Sequence, residues 1–209
     1  MRTITTTTNV YKFEELSPES QANALDKHRE WLVNDPYWYT CIEEDWNDKL
    51  SNLGIENPKI SFSGFWNQGD GAVFTSKNID LIKLLDGLGM QTEYKYIYDL
   101  LIDDVMNVSS SINRISNYYD HEGTAKLSID FEQLNDDYES EEKYNEVENK
   151  AIEMLSQLEK ELESWRREMC KELYYDLMQE YEMLQSDDVL KETFVENEYE
   201  FTEDGEIYN

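Results

Sequence analysis

Histidine, cysteine and proline are scarce in this chain: its 209 residues include two histidines, two cysteines and three prolines. Cys41 and Cys170 lie far apart in sequence, so they give neither a disulfide framework nor a metal-binding spacing, which favours a reducing compartment. His28 lies between two basic residues of a predicted helix, and His121 lies in the acidic loop YYDHEG. We interpret His28 as part of a solvated helix face. We interpret His121 as a surface loop residue, because three consecutive loop side chains need a special backbone to converge on one ion.

Long apolar runs and catalytic motifs are also missing. No segment reaches the roughly 18 apolar residues of a membrane span, and the start MRTITTTT differs from a signal peptide. No glycine-rich phosphate loop followed by lysine and no serine nucleophile motif is present. We therefore expect a cytoplasmic protein without catalysis, cofactor, bound metal or membrane contact. A metal-dependent enzyme that uses clustered acids such as Asp103 and Asp104 is the alternative.

Basic residues are few relative to acidic ones, 18 against 47, which gives a net charge of −29. Hydrophobic residues make up 39% of the chain and aromatic residues 13%, so the sequence can bury a core and is not simply an acidic tail. From Glu132 to the end of the chain there are 26 acidic and 7 basic residues. Such a charge repels free nucleic acid and anionic membranes, and it attracts the basic surfaces of proteins that hold DNA or RNA.

A long amphipathic helix is predicted from about Ser140 to about Leu184, either unbroken or as two helices with a bend. Apolar residues recur there at steps of three and four, and carboxylates occupy the other positions. A rigid row of carboxylates can imitate the charged edge of a DNA duplex. The carboxylates expected to bind a partner are Glu139, Glu141, Glu142, Glu146, Glu153, Glu163, Glu172, Asp176 and Glu180.

The segment Ser61–Phe74, SFSGFWNQGDGAVF, predicts two short strands joined by a tight loop. Gly69 and Gly71 allow a positive φ, and Asp70 can accept hydrogen bonds inside the turn. The hairpin either packs its aromatic residues into the core or forms a loop for a ligand or partner, where glycine lets another backbone come close. In the second case the contact residues are Phe65, Trp66, Gln68 and Asp70.

The remaining patterns predict an α+β fold: a small antiparallel sheet with packed helices and a long acidic C-terminal helix or helical hairpin. We expect residues 1–135 to form an α+β domain and residues 136–209 to form the long-helix region with a terminal hairpin. The individual predictions are a strand at Thr3–Phe13, a helix capped by Ser17, helices at Tyr37–Leu53, Ile79–Leu88 and Tyr94–Met106, strands at Val108–Ser116 and Thr124–Phe131, and a final hairpin of Thr193–Phe201 with Glu206–Tyr208.

Two stretches, Tyr11–Trp31 and Lys59–Phe74, resemble a group of small proteins encoded by phages and prophages. These proteins share an F-x-E-L-S stretch that leads into a helix and the motif SGFW-x-QGDGA-x-F, and some carry antitoxin-like labels. The resemblance implies a phage origin and a small protein that blunts a host activity in the host cytoplasm. It supplies no catalytic residues.

Charge and resemblance together suggest a phage-encoded inhibitor that binds a basic, nucleic-acid-handling host defence protein by acidic DNA mimicry, without binding nucleic acid itself. One alternative is an antitoxin that neutralises a basic toxin. Another is an anti-defence protein that sequesters a small molecule in a pocket lined by the QGDGA segment. The strong negative charge argues against a nucleotide as this ligand unless lysine and arginine gather around the pocket. A homodimer is a further expectation, because the apolar stripe of the long helix must be buried somewhere.

Overall fold

The structure is a computed structural model that describes residues 1–4, 7–135 and 138–208. It divides into two compact units, one of Met1–Thr40 with Leu177–Asn209 and the other of Cys41–Asp176. The division predicted from sequence after residue 135 stays a prediction, since Asp136 and Asp137 lie outside the described residues. We refer to the two as the terminal unit and the central unit.

The fold class is α+β, with small antiparallel strand pairs and a long acidic C-terminal helix, as the sequence predicted. The strands form four antiparallel pairs within the described ranges: β1 with β8, β2 with β5, β3 with β4, and β6 with β7. In chain order the elements are β1 (Tyr11–Lys12), α1 (Pro18–Lys27), α2 (Thr40–Asn52), β2 (Ile55–Glu56), β3 (Lys59–Phe62), β4 (Ala72–Thr75), β5 (Asn78–Ile79), α3 (Leu81–Leu88), α4 (Lys95–Ile102), β6 (Met106–Arg114), β7 (Ala125–Leu134), α5 (Glu141–Leu184), α6 (Asp187–Glu196) and β8 (Glu200–Phe201).

The terminal unit is built on α1, α6 and the β1–β8 pair, in which Tyr11 faces Phe201. The Ser17 hydroxyl begins α1 by accepting a hydrogen bond from the Ser20 amide at 3.1 Å, and Pro18 takes the first helical position. This confirms the predicted helix start. The core of the unit consists of Phe13, Leu16, Ala24, Leu25, Leu190, Phe194 and Phe201.

Both terminal strand predictions are wrong in extent. Of the predicted strand Thr3–Phe13, the described part forms a strand only at Tyr11–Lys12; Thr5 and Thr6 lie outside the described residues. The predicted final hairpin begins instead with helix α6, where Leu190 and Phe194 lie one turn apart and both are buried. The second half of that hairpin is present: the Thr202 amide donates to the Glu206 carbonyl at 2.8 Å, the Tyr208 amide donates to the Glu200 carbonyl at 2.7 Å, and Phe201 bridges to Ile207.

In the central unit the strand pairs follow the predicted pattern. β3 and β4 pair with Lys59 opposite Thr75 and Phe62 opposite Ala72, and β6 and β7 form a longer ribbon. Beyond β4, Ser76 bridges to Ile112 of β6, which joins the hairpin to the ribbon. The predicted helices are confirmed as α2, α3 and α4, each shorter than predicted by one to four residues at one or both ends.

Helix α5 is a single unbroken helix of 44 residues, about 66 Å long at 1.5 Å per residue. Within the central unit its apolar stripe is buried against the chain itself: Ala151, Leu155, Leu158, Leu162 and Leu173 are at most 3% exposed. This part of the stripe is thus buried within the chain, and the homodimer stays a prediction. None of the described helices has the length and apolar content needed to cross a membrane.

Candidate partner-binding surface

The loop between β3 and β4 is a compact turn held by its own polar groups. The Asn67 amide donates to Asp70 Oδ2 at 2.8 Å, and the Asp70 amide donates to the Asn67 carbonyl at 3.2 Å. The Ser63 amide donates to the Gly71 carbonyl at 3.1 Å and extends the ladder into the loop. Asp70 thus acts inside the turn, whereas Gln68 is exposed.

The loop glycines are required by a second loop of the same chain. A Cβ on Gly71 would lie 2.5 Å from His121 Cβ and 2.9 Å from the Asp120 carbonyl oxygen. Gly69 has a φ of +93°, and a Cβ there would lie 2.9 Å from the Tyr119 ring. The close backbone approach that the glycines permit is therefore intramolecular.

The aromatic residues of the hairpin divide between core and solvent. Phe65 is buried and stacks on Tyr174 of α5, with ring centroids 5.5 Å apart. The Tyr174 hydroxyl donates to the Gly64 carbonyl at 3.5 Å and hydrogen bonds the Trp66 backbone. Trp66 is 64% exposed and has a φ of +69°, a conformation that costs a non-glycine residue energy. The turn thus presents Trp66 outward while Phe65 anchors it.

The first turns of α5 and a position two residues before the helix carry exposed carboxylates, which we call the N-terminal acidic surface: Glu139, Glu141, Glu142, Glu146 and Glu153. None of the five forms an ion pair with a residue in the described ranges. Glu142, Glu146 and Glu153 lie within about 40° of one another around an ideal helix, on the side opposite the buried stripe. Lys143 and Lys150 lie between them, and the Lys150 ammonium packs over the Tyr96 ring at 3.9 Å.

Glu163, which the sequence analysis assigned to partner binding, binds inside the central unit. Its two carboxylate oxygens accept hydrogen bonds from Arg166 at 2.8 Å, from Arg167 at 2.7 Å and from the Leu127 amide of β7 at 3.0 Å. Burial alone would raise the pKa of Glu163, but these hydrogen bonds outweigh it and lower the pKa to about 2. We therefore leave Glu163 out of the acidic surface.

Other predicted carboxylates on the later part of α5 are also occupied by neighbours. Glu172 pairs with Lys49 of α2 at 3.3 Å, and Asp176 accepts a hydrogen bond from the Trp46 indole at 2.9 Å. These two contacts fasten α2 along α5 in the central unit. Glu180 is half-buried and belongs to the terminal unit.

The predicted site residues therefore do not form one patch. The hairpin packs on α5 at Tyr174, which is 21 residues, or about 32 Å of helix, beyond Glu153. Trp66 and the N-terminal acidic surface are two separate exposed features of the central unit.

Sequence reasoning missed the buried Arg166, whose side chain has no exposed surface. Besides Glu163, its guanidinium donates to the carbonyls of Glu122 at 2.6 Å and Ala125 at 2.9 Å, and to the Cys170 sulfur at 3.4 Å. A signal was present: Arg166 falls four residues after Leu162, in the register of the apolar stripe. A charged residue at a core position predicts an internal partner.

Histidine, cysteine, aspartate and glutamate are the side chains that could hold a metal ion. In the part of the chain that the structure describes, no three of them come together as a cation site. The ring nitrogen Nδ1 of His121 instead accepts a hydrogen bond from the Gly123 amide at 3.0 Å.

Comparison with known proteins gives a family match. The family described as a domain of unknown function (DUF8835) matches residues 38–187, which include the whole central unit and all but one strand pair. No curated protein and no solved structure matches the chain.

Proposed function

The chain belongs to the DUF8835 family, whose function is unknown, and we propose that it is a non-catalytic binding protein whose acidic surface engages a cationic, nucleic-acid-binding surface of another protein. In the setting that the phage resemblance implies, the partner is a host defence protein and the outcome is inhibition by DNA mimicry.

The observation that carries this proposal is the N-terminal acidic surface on the unbroken helix α5. Glu142 and Glu146 are separated by about 6 Å along the helix axis, and Glu146 and Glu153 by about 10 Å, so the carboxylates keep a set spacing. A DNA strand presents one phosphate charge about every 3.4 Å of axis, so the helix offers a sparser array of the same sign. The likeness is in charge and rigidity rather than in atomic detail.

The overall charge supports the proposal, because both units are strongly acidic. The central unit holds 30 acidic and 13 basic residues, and the terminal unit holds 17 and 5. A basic protein surface would be attracted to either unit over several ångströms and would associate faster than a neutral pair. Trp66 offers a separate apolar contact of the kind that often anchors an interface.

The same chemistry would serve an antitoxin that covers a basic toxin, which is the alternative function. In either case the partner's cationic surface recognises the same carboxylates. The identity of the partner, a toxin encoded beside this chain or a host nuclease, separates the two functions.

The experiment is an affinity capture from host lysate with the full chain and two charge-matched variants. E142Q/E146Q/E153Q removes three carboxylates of the acidic surface, and E14Q/E19Q/E30Q removes three exposed carboxylates of the terminal unit that form no described ion pair. Each variant changes the net charge equally, so only location differs.

We expect the native chain and E14Q/E19Q/E30Q to capture the same basic protein, which duplex DNA displaces. E142Q/E146Q/E153Q should bind it about tenfold more weakly, from roughly 0.5 kcal/mol for each exposed charge. Affinity should also fall as salt rises to physiological strength and above. Equal capture by both variants, or capture unaffected by DNA and salt, would refute the proposal.

A further inference from the structure

A groove of about 470 Å³ opens in the central unit where the end of the β3–β4 hairpin meets the end of β6. Its lining includes the bridged residues Ser76 and Ile112, whose backbone hydrogen bonds are 3.0 Å and 2.8 Å long. Cavities of this size are typical of sites for small molecules. The groove lies outside the hairpin loop and the N-terminal acidic surface.

Positive charge dominates the lining of this groove. Lys59, Lys77 and Arg114 line it, against the single carboxylate of Glu56. The chain as a whole has 47 acidic and 18 basic residues, so the ratio in the groove is the reverse of the ratio in the chain. A random stretch of this surface would hold more acids than bases.

The two lysines are left without ion-pair partners among the residues that the structure describes. Arg114, by contrast, is positioned by Asp120 and by the Tyr119 carbonyl, to which it donates at 3.1 Å. The Glu56 carboxylate accepts a hydrogen bond from the Asn78 amide at 3.4 Å. Even with Asp120 and Glu56 counted, the groups at the groove keep a net positive charge.

Amide side chains complete the lining: Asn57, Asn78 and Asn113. An asparagine amide can donate to and accept from a sugar hydroxyl, and lysine is a common ligand of phosphate. None of the described residues that line the groove is aromatic, so it offers no ring on which a nucleobase would stack.

We propose that this groove binds a small phosphorylated molecule, with the phosphate held by Lys59 and Lys77 and the hydroxyl groups of a sugar held by the asparagine amides. Recognition of the phosphate and sugar rather than of a base follows from the polar lining. This site adds a ligand-binding function to the protein and is independent of the proposed protein partner.

The negative charge of the rest of the chain does not prevent such binding at physiological salt. Charges farther away than the Debye length of about 8 Å are largely screened, whereas the lysines act at contact distance. The groove therefore presents a local positive site within a repulsive long-range field.

The test is calorimetric titration of the full chain with ribose 5-phosphate, inorganic phosphate and ribose. The variant K59Q/K77Q removes both free ammonium groups, and K83Q/K160Q is the matched control, since these lysines are exposed, outside the groove and without a described ion pair. Thermal unfolding of each variant confirms that it is folded.

We expect the native chain and the control to bind ribose 5-phosphate equally, and K59Q/K77Q to bind it at least about tenfold more weakly. Ribose alone should not bind, and ribose 5-phosphate should bind more tightly than inorganic phosphate. The proposal is overturned if the native chain does not bind ribose 5-phosphate at concentrations up to about 10 mM, which corresponds to about 3 kcal/mol of binding free energy. It is also overturned if K59Q/K77Q binds ribose 5-phosphate as tightly as the native chain. Equal affinity for the two phosphates would overturn the role of the amides.

Discussion

The ion pair of Glu163 with the buried Arg166 should be a major source of stability in the central unit. Replacing Glu163 with glutamine keeps the size of the side chain and its ability to accept from the Leu127 amide. It removes the ion-pair partner of the Arg166 guanidinium, which has no exposed surface. Breaking a buried pair from one side is costly because the remaining charge is still desolvated.

The magnitude follows from the pKa of Glu163, which is lowered from 4.5 to about 2. A carboxyl group whose pKa is lower in the folded state than in the unfolded state stabilises the fold at every pH above its unfolded-state pKa. The difference corresponds to about 3 kcal/mol at neutral pH. That stability decreases as the pH falls below about 4.5 and is lost near pH 2; at pH 3.5 about 1.4 kcal/mol of it has gone.

Urea unfolding of the native chain and of E163Q at pH 7 and pH 3.5 measures both quantities. The matched control is E168Q, because Glu168 forms an exposed ion pair with Lys171 that should contribute about 0.5 kcal/mol or less. The reasoning fails if E163Q loses less than about 1 kcal/mol more than E168Q at pH 7. It fails equally if the difference between the native chain and E163Q is the same at both pH values.

Two further predictions concern the hairpin and the thiols. Gly71→Ala should lower the free energy of unfolding by about 2 kcal/mol or more, because its Cβ would lie 2.5 Å from His121 Cβ. Gly64→Ala is the control and should change the free energy of unfolding by less than about 1 kcal/mol, because the nearest atom to its Cβ is 3.8 Å away. Similar losses in the two variants would contradict this prediction. A thiol reagent should modify Cys41 in the folded chain and Cys170 only after unfolding. Cys170 is buried, and burial raises the pKa of its thiol. Rapid modification of both thiols under native conditions would contradict this prediction.

The sequence predicted the elements whose signals are local. Apolar residues at every third or fourth position predict helix α5. Strand-forming residues on both sides of Gly69 and Gly71 predict the β3–β4 hairpin. The last four residues of α6 fall within the strand predicted at Thr193–Phe201, and Thr193 and Val195 are β-branched residues of the kind that favour strands. The cap of α6, with Ser186 accepting from the Val189 amide at 3.4 Å, and its buried residues one turn apart prevailed over that preference.

The groove could not be predicted from the sequence, because its basic residues are brought together by the pairing of strands that are distant in sequence. Lys59 lies 18 residues before Lys77, and Arg114 lies 37 residues after it. They come together only because Lys59 faces Thr75 and Ser76 bridges to Ile112. Likewise, no periodic pattern separates Glu163, which faces β7, from Glu153, which faces water, since both occupy polar positions of the helical repeat.

The outward amides of β7 carry one more consequence. A two-stranded ribbon offers free N–H groups along its open side, and such a side can recruit a strand from another molecule and start aggregation. Here the Ile129 amide donates to Glu159 at 3.0 Å, as the Leu127 amide does to Glu163. An incoming strand would have to displace two carboxylates of the long helix before it could join, so the acids of α5 protect the molecule from uncontrolled self-assembly.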